Sequence, residues 1–354
     1  MLRFMRTSIF FSVLSSAMIV SACVPSATMS TPATQIPESI LNPVPSFAGI
    51  VSKIITGIVY IYVDTNETDS SGAPVAAAGS GVILSSDGWI LTNRHVVNNY
   101  KSVEVTLEDH RTYTATKVLM DDVIDLAVVK IDEQGLNPLN FGDPDSINVG
   151  DWVIAIGHAL GISPQEGGPT VTEGIVSSLG RSFTIDATPY YDLVQTSAAI
   201  NPGNSGGALV NTAGEIIGIN SAGVTTAQNI GYAINVGTAR HVFEDLVQYG
   251  KPQHPYLGVR LVDMTTEMAR KVNGPLEGAL VDFVEPGSPA DAAGLRVDDV
   301  IVSLGGETIT SASDVMKVLW RQEPGQTASI VYLHRGLENN KDVQFVERPQ
   351  TSSI

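Results

Sequence analysis

From Ile58 to Ile234 the chain is a succession of short apolar runs broken by glycine-bearing turns, and nothing in that span sustains a helical period. The runs Ile58–Val63, Gly81–Leu84, Trp89–Thr92, Val103–Leu107 and Leu126–Ile131 read as one set of strands. Trp152–Ile156, Thr170–Ser177, Ala208–Val210, Glu215–Asn220 and Gly231–Ile234 read as a second. Turn signals such as Ser86-Asp87-Gly88, Gly142-Asp143-Pro144 and Thr212-Ala213-Gly214 punctuate both. Strands this short bury their apolar faces only by closing into barrels or stacking as sandwiches, so the fold is expected to be mainly β.

The pattern changes near Thr238, where Val242, Phe243, Leu246 and Val247 fall on one face of a predicted helix stopped by Gly250-Lys251-Pro252. Gly250–Pro255 reads as a linker. Beyond the linker comes a smaller α+β module whose best helix runs from Ala312 to Arg321, with Ser311 or Ser313 as its cap. The expected division is 1–22 signal peptide, 23–46 tether, 47–250 first domain and 251–349 second domain. The length of 354 residues suits two domains.

Arg3 and Arg6 followed by the apolar stretch Thr7–Val20 form an export signal, shorter than the ~20 residues that span a bilayer. Small residues then lead to Cys23, the single cysteine of the chain, as in the bacterial lipobox, where the cysteine is lipidated. The plainer alternative is an ordinary signal peptide. Residues 24–46, rich in Pro, Ser and Thr, suit an extended tether. One cysteine allows no internal disulfide. A formal charge of −17 argues against nucleic acid, whose phosphates need Lys and Arg to displace counterions. The expected location is extracytoplasmic, in a bacterial cell envelope, anchored through Cys23.

Three polar blocks interrupt the apolar pattern. His95 follows the strand Trp89–Thr92, Asp125 precedes the run Leu126–Ile131, and Ser205 sits in Asn201-Pro202-Gly203-Asn204-Ser205-Gly206-Gly207. A serine hydroxyl needs a base within hydrogen-bond reach to become a nucleophile. An imidazole, with an ordinary pKa of ~6.5, can take that proton and return it. A buried carboxylate fixes the imidazole tautomer and stabilises its protonated form. The glycines let the backbone turn so that amides converge on a developing oxyanion. Each block alone has an ordinary structural reading, and Asp121 and Asp122 compete with Asp125. Joint occurrence in the order His, Asp, Ser points to serine catalysis. Gly203-x-Ser205-x-Gly207 also fits the nucleophile elbow of α/β-hydrolases, but a strand, not a helix, follows Ser205, and no suitable His lies downstream.

These blocks resemble those of the HtrA (Deg) family of trypsin-like serine proteases, over about residues 46–349. Leu91-Thr92-Asn93-Arg94-His95-Val96-Val97, Asp125-Leu126-Ala127-Val128-Val129-Lys130-Ile131 and Gln195–Gly207 carry the resemblance. It implies a two-barrel chymotrypsin-like protease domain followed by a small α+β PDZ domain, with His95, Asp125 and Ser205 catalytic at the interface of two perpendicular six-stranded barrels. It offers the amides of Gly203, Asn204 and Ser205 for the oxyanion hole. It places Ala199 at the base of the S1 pocket, with Ile219, Asn220 and Ser221 on its wall, so small or medium aliphatic P1 residues are expected. Ser197, Ala208 and His158-Ala159 depart from residues usual in the family.

Pro255-Tyr256-Leu257-Gly258-Val259 resembles the family's carboxylate-binding loop, so Tyr256, Leu257, Gly258 and Val259 are expected to hold hydrophobic C-termini. The resemblance further implies a homotrimer, with Phe47 a candidate contact residue, and a regulatory role for Arg181. Unfolded or misfolded proteins are the expected substrates. With no Walker-type phosphate loop, no ATP-driven unfolding is indicated, and no metal or other cofactor is expected. The rival reading is a non-catalytic peptide-binding chaperone or scaffold lipoprotein.

Overall fold

Alternation along the first strands feeds two separate cores. In β1 (Ile58–Thr68), Val59, Ile61 and Val63 point into one cluster with Ile83, Ile90 and Val129. Ile58, Val82, Leu91 and Val128 point the other way, into a second cluster shared with the later strands. Successive side chains of a strand face opposite sides, so one run of Val, Ile and Leu can serve both. The computed structural model describes residues 46–349 except 73, 186–187 and 222–228. The export signal, Cys23 and nearly all of the tether therefore lie outside the described residues.

The first sheet comprises β1, β2 (Pro74–Ile83), β3 (Trp89–Thr92), β4 (Tyr100–Thr106), β5 (Thr112–Thr114), β6 (Lys117–Met120) and β7 (Ala127–Lys130). Its order is β5-β4-β1-β2-β3-β7-β6. The second comprises β8 (Trp152–Gly157), β9 (Thr170–Ile185), β10 (Thr188–Thr196), β11 (Ala208–Val210), β12 (Ile216–Ser221) and β13 (Gly231–Asn235). It closes into a barrel in the order β10-β13-β12-β11-β8-β9. Hydrogen-bonded closure and six strands hold for this second unit; the first carries seven strands, its edges being the short β5 and β6. Those edges lack an apolar alternation, which is why they leave no mark in the sequence. The strand β10 is hidden too, because Asp192 interrupts it at φ +52°, where the register against β9 shifts.

Helix α1 (Ala48–Ile54) precedes β1, and the four-residue α2 (Arg94–Val97) follows β3. Phe47 packs half-buried against the second core, its ring 5.9 Å from that of Trp152. Helix α3 (Val236–Tyr249) starts two residues before the expected Thr238, because Asn235 caps it by accepting from the Gly237 amide at 2.8 Å. Gly250, at φ +73°, ends it as expected. The segment after it is tied down rather than loose. The Gln253 amide donates to Asp245 Oδ2 at 2.8 Å, and His254 Nε2 meets buried Asp121 Oδ1 at 2.8 Å.

Beyond lie β14 (Pro255–Tyr256), β15 (Val259–Asp263), α4 (Thr266–Val272), β16 (Ala279–Val284), α5 (Pro289–Ala292), β17 (Val300–Leu304), β18 (Glu307–Thr308), α6 (Ala312–Leu319), β19 (Thr327–His334), β20 (Leu337–Gln344) and β21 (Val346–Glu347). Strands β15-β16-β17-β19-β20 form one sheet, and β14 pairs with β21. Ser311 caps α6 in a reciprocal box with Asp314. Ser313 does something else: its Oγ accepts from the Asp192 amide at 3.0 Å, so α6 is docked on β10. Val315, Val318 and Leu319 fill the local core, while Trp320 joins the core shared by the first two sheets.

Candidate active site

His95 is placed by its neighbours. Val96 and Val97 are buried in the first core, and the buried Asn93 side chain donates to the Asp125 carbonyl at 2.9 Å. The His95 amide donates to Asp125 Oδ1 at 2.9 Å, and His95 Nδ1 lies 2.7 Å from Asp125 Oδ2. A carboxylate only accepts, so Nδ1 carries the proton and Nε2 is left as the acceptor. The imidazole is 43% exposed and the carboxylate 5%, which leaves the base open on one side and its acid shielded on the other. Ser221 Oγ reaches Asp125 Oδ2 at 3.5 Å. Of the three candidate acids, Asp125 meets the imidazole. Asp121 turns to the Val123 and Ile124 amides and to His254, and the Asp122 side chain is 93% exposed.

The turn bearing Ser205 is welded to this pair. Gly206 donates to the Asn220 carbonyl at 2.9 Å, and the next residue along that strand is Ser221. The Ser205 carbonyl accepts from the Ser80 amide at 2.8 Å. A Cβ built on Gly79 would lie 3.2 Å from the Ser205 carbonyl and 2.7 Å from the Val96 side chain, so Gly79 lets β2 pass close to both the Ser205 turn and the helix of His95. Gly203 (φ +93°) and Gly206 (φ +83°) have no room for a side chain: a Cβ would overlap the His158 carbonyl at the first and the Ser80 carbonyl at the second.

Two contacts orient the Gly203 turn. The Leu160 amide donates to the Pro202 carbonyl at 2.6 Å. In a trans peptide the N–H points opposite to the C=O, so the Gly203 N–H is aimed away from Leu160. It donates to nothing among the described residues. Ser80 Oγ donates to the Gly203 carbonyl at 2.7 Å and accepts from the His158 amide at 2.7 Å. Of the expected trio of oxyanion amides one drops out, because the Asn204 amide is spent on the Asn201 carbonyl at 2.9 Å.

The S1 expectation is also corrected in part. Ile219 is wholly buried in the barrel core, and Asn220 bridges strands by donating to the Ala208 carbonyl at 3.0 Å. Ser221 belongs to the surroundings of Asp125. Ala199 is exposed, with its carbonyl held by Thr172 Oγ1 at 2.9 Å. His158 is buried against Tyr60, and burial pulls its pKa down to about 4. Arg181 is exposed on β9, with Nε on Gln195 Oε1 at 3.2 Å, one residue from Gly180, which faces Ser313 of α6. Among the described residues, no group of three or more His, Cys, Asp or Glu is placed to hold a metal ion.

The Tyr256–Val259 loop opens on a cavity of about 280 Å³ between α6, β15 and β10. Leu257 itself is buried, and Gly258 is at φ +81°. The carbonyls are engaged, Leu257 by the Ala290 amide and Gly258 by the Glu285 amide, both at 2.9 Å. Sequence reasoning missed Ser80, Leu160 and the Asp121–His254 pair. The small-residue stretch Gly79-Ser80-Gly81 was the available signal for the first; the other two are tertiary.

Residues 79–219 match a trypsin-like peptidase domain, and residues 255–345 match a PDZ domain. A putative serine protease HhoB of Synechocystis sp. is 42% identical over 263 residues, covering 71% of this chain and 62% of its own length. A probable periplasmic serine endoprotease DegP-like of Hahella chejuensis is 40% identical over 277 residues, covering 77% and 58%. The chain thus spans about three-fifths of these relatives. The solved structure of the HtrA-type protease AlgW with tripeptide superposes with a TM-score of 0.70 at 36% identity, covering 86% of this chain and 98% of that one. A trypsin-like domain with the His95–Asp125 pair beside a glycine-rich serine turn, followed by a PDZ domain, assigns this chain to the HtrA family of serine proteases.

Proposed function

We propose that the chain is a serine endopeptidase in which His95, Asp125 and Ser205 act as one relay. The observation that carries this is the 2.7 Å contact between His95 Nδ1 and the buried Asp125 carboxylate, beside the Ser205 turn. Ser205 Oγ attacks the scissile carbonyl as His95 Nε2 takes its proton, and Asp125 stabilises the imidazolium. The oxyanion faces the amides of Gly203 and Ser205. Collapse expels the amine, which takes the proton from His95, and leaves an acyl-enzyme on Ser205. Water then attacks with the same base, releasing the acid.

A fluorophosphonate probe tests this: covalent labelling of the wild type and none of Ser205→Ala is expected. Absence of labelling in both, with casein left intact, would instead favour the chaperone or scaffold reading.

The finer proposals rest on the resemblance. The domain limits are 47–250 and 251–349. Substrates are unfolded or mislocalised proteins in quality control without ATP, P1 is aliphatic because Ala199 is uncharged, and the PDZ loop receives hydrophobic C-termini. The location is extracytoplasmic, supported by the basic-apolar N-terminus and the periplasmic relative. Anchoring through Cys23, a homotrimer and regulation through Arg181 complete the reading. Basic P1 residues in a peptide library, an unlipidated mature N-terminus by mass spectrometry, a monomer by light scattering, or unchanged peptide stimulation in Arg181→Ala would each remove the corresponding element.

A further inference from the structure

The cavity beside the Tyr256–Val259 loop is lined by a cation, Arg348, that makes no direct ion pair among the described residues. The β14–β21 ladder sets Pro255 opposite Glu347 and Tyr256 opposite Val346, and the Arg348 amide donates to the His254 carbonyl at 2.9 Å. Arg348 thus stands at the root of the loop and lines the same cavity. Its guanidinium is half-buried, and burial lowers its pKa. Among the described residues it meets no carboxylate within ion-pairing distance and no hydrogen-bond acceptor. That is anomalous in a chain with 37 acidic and 20 basic side chains. Arg321, exposed on the same module, pairs with Asp145 at 3.1 Å and with Glu307 at 3.7 Å. Tyr191, Asp121 and Glu285 act on it only from a distance, so the half-buried guanidinium has no contacting anion until a ligand supplies one.

The loop supplies the matching half. The amides of Leu257 and Gly258 donate to nothing among the described residues, although their carbonyls are engaged. Two free N–H groups beside an unpaired guanidinium form a receptor for a carboxylate. The rest of the cavity is lined by apolar side chains, Leu261, Val315 and Leu319 among them, with Tyr191 and Trp320 across from them.

We propose that Arg348 is the counter-charge for the terminal carboxylate of a bound peptide, so that the site demands a free chain end carrying an apolar last residue. This rests on the reading of the loop as a receiver of peptide C-termini and names the group that enforces the terminus. The occupant is the C-terminus of an unfolded protein, because only a chain end combines one carboxylate with an adjacent apolar side chain and a backbone to pair with β15.

The test uses the full chain carrying Ser205→Ala, so that the peptide stays intact. Fluorescein-labelled decapeptides ending in Ala-Val-Leu, one a free acid and one a C-terminal amide, are titrated by fluorescence anisotropy. The parent is expected to prefer the acid by about 10-fold or more, the size of a hydrogen bond to a charged group. Arg348→Gln is expected to erase that preference while changing amide binding less than about twofold, the scatter expected of such a measurement. Arg348→Met, which keeps the apolar stem, serves as a second variant should the first not fold, and the same result is expected. An acid preference that survives in either folded variant overturns the role of Arg348 and leaves the peptide site standing. Failure of both peptides to bind the parent overturns the peptide site itself.

Discussion

Ser80 is the buried hydroxyl on which the oxyanion turn depends. Its Oγ has two partners at 2.7 Å, the Gly203 carbonyl and the His158 amide, and the residue is fully buried. It thereby joins the turn at His158–Gly161 to the turn at Pro202–Ser205, and across this join the Leu160 amide holds the Pro202 carbonyl. Ser80→Ala removes one donor and one acceptor and leaves two buried backbone groups unpaired, at about 1–3 kcal/mol each. The expected stability loss is about 2–4 kcal/mol after partial relaxation. With Pro202 less firmly held, the Gly203 N–H loses its aim. Full loss of one oxyanion donor costs about 10²–10³ in kcat, so a loosened donor is expected to cost about 10- to 100-fold. KM should stay within about threefold, because the donor acts on the transition state and not on the ground-state complex. The assay is steady-state cleavage of a fluorogenic peptide, at a temperature where circular dichroism shows the variant fully folded. A kcat within twofold of wild type, together with the full stability loss, would refute the reasoning and reduce Ser80 to a structural hydroxyl.

Burial raises the Asp192 carboxyl to about 7 from its ordinary value near 4, so the fold retains a proton there that the unfolded chain releases. Stability from this group is present at low pH and lost as pH rises from about 4 through 7. Asn tolerates the positive φ of Asp192, so Asp192→Asn should raise stability in urea titrations by about 2–4 kcal/mol at pH 8 and by almost nothing at pH 4; equal effects at both would refute it. His158 has the opposite sign: its pKa is held at about 4 by burial, so the unfolded chain binds a proton that the fold refuses, and stability falls as pH drops from about 6.5 to 4. His158→Asn should flatten that decline, worth at most about 3 kcal/mol; an unchanged acid limb would exclude His158 as its source.

Legibility in the sequence is a matter of range. His95, Asp125 and Ser205 each sit in a local pattern of strand end, strand start or glycine turn, and such patterns are visible along the chain. Alternation likewise exposes most strands, because burial on a sheet face repeats every second residue. The pieces that escape are those whose partner lies far away in sequence. Ser80 meets Gly203, and Ser313 meets Asp192; nothing beside any of these residues announces the other. Asn204 misleads for a related reason. Its amide sits among the glycines like its neighbours, and only the fold of the turn shows that Asn201 has taken it. Ile219 misleads because a strand residue near a pocket and one inside a barrel carry the same apolar side chain. Arg348 is the extreme case, since what marks it is the direct ion pair it lacks among the described residues.

The module that bears the cavity is held to the barrels by contacts of unequal strength. Val123, Ile124 and Asp125 line the same cavity as Arg348. On one side, His254 is fixed to Asp121, a fully buried carboxylate that also caps the amides of Val123 and Ile124. Separating them would strand a buried charge, at about 3–5 kcal/mol. On the other side, α6 meets β10 through the hydrogen bond from the Asp192 amide to Ser313 Oγ, worth about 1 kcal/mol net, and apolar packing of Trp320, while Lys317 and Arg321 reach the exposed Asp145 at 3.7 and 3.1 Å in ion pairs worth about 0–1 kcal/mol each. Spatial proximity alone carries no signal; an element with two accessible arrangements is needed. By these costs the Asp121–His254 pair is the hardest of the contacts to break, and the hydrogen bond and exposed ion pairs around α6 are the easiest.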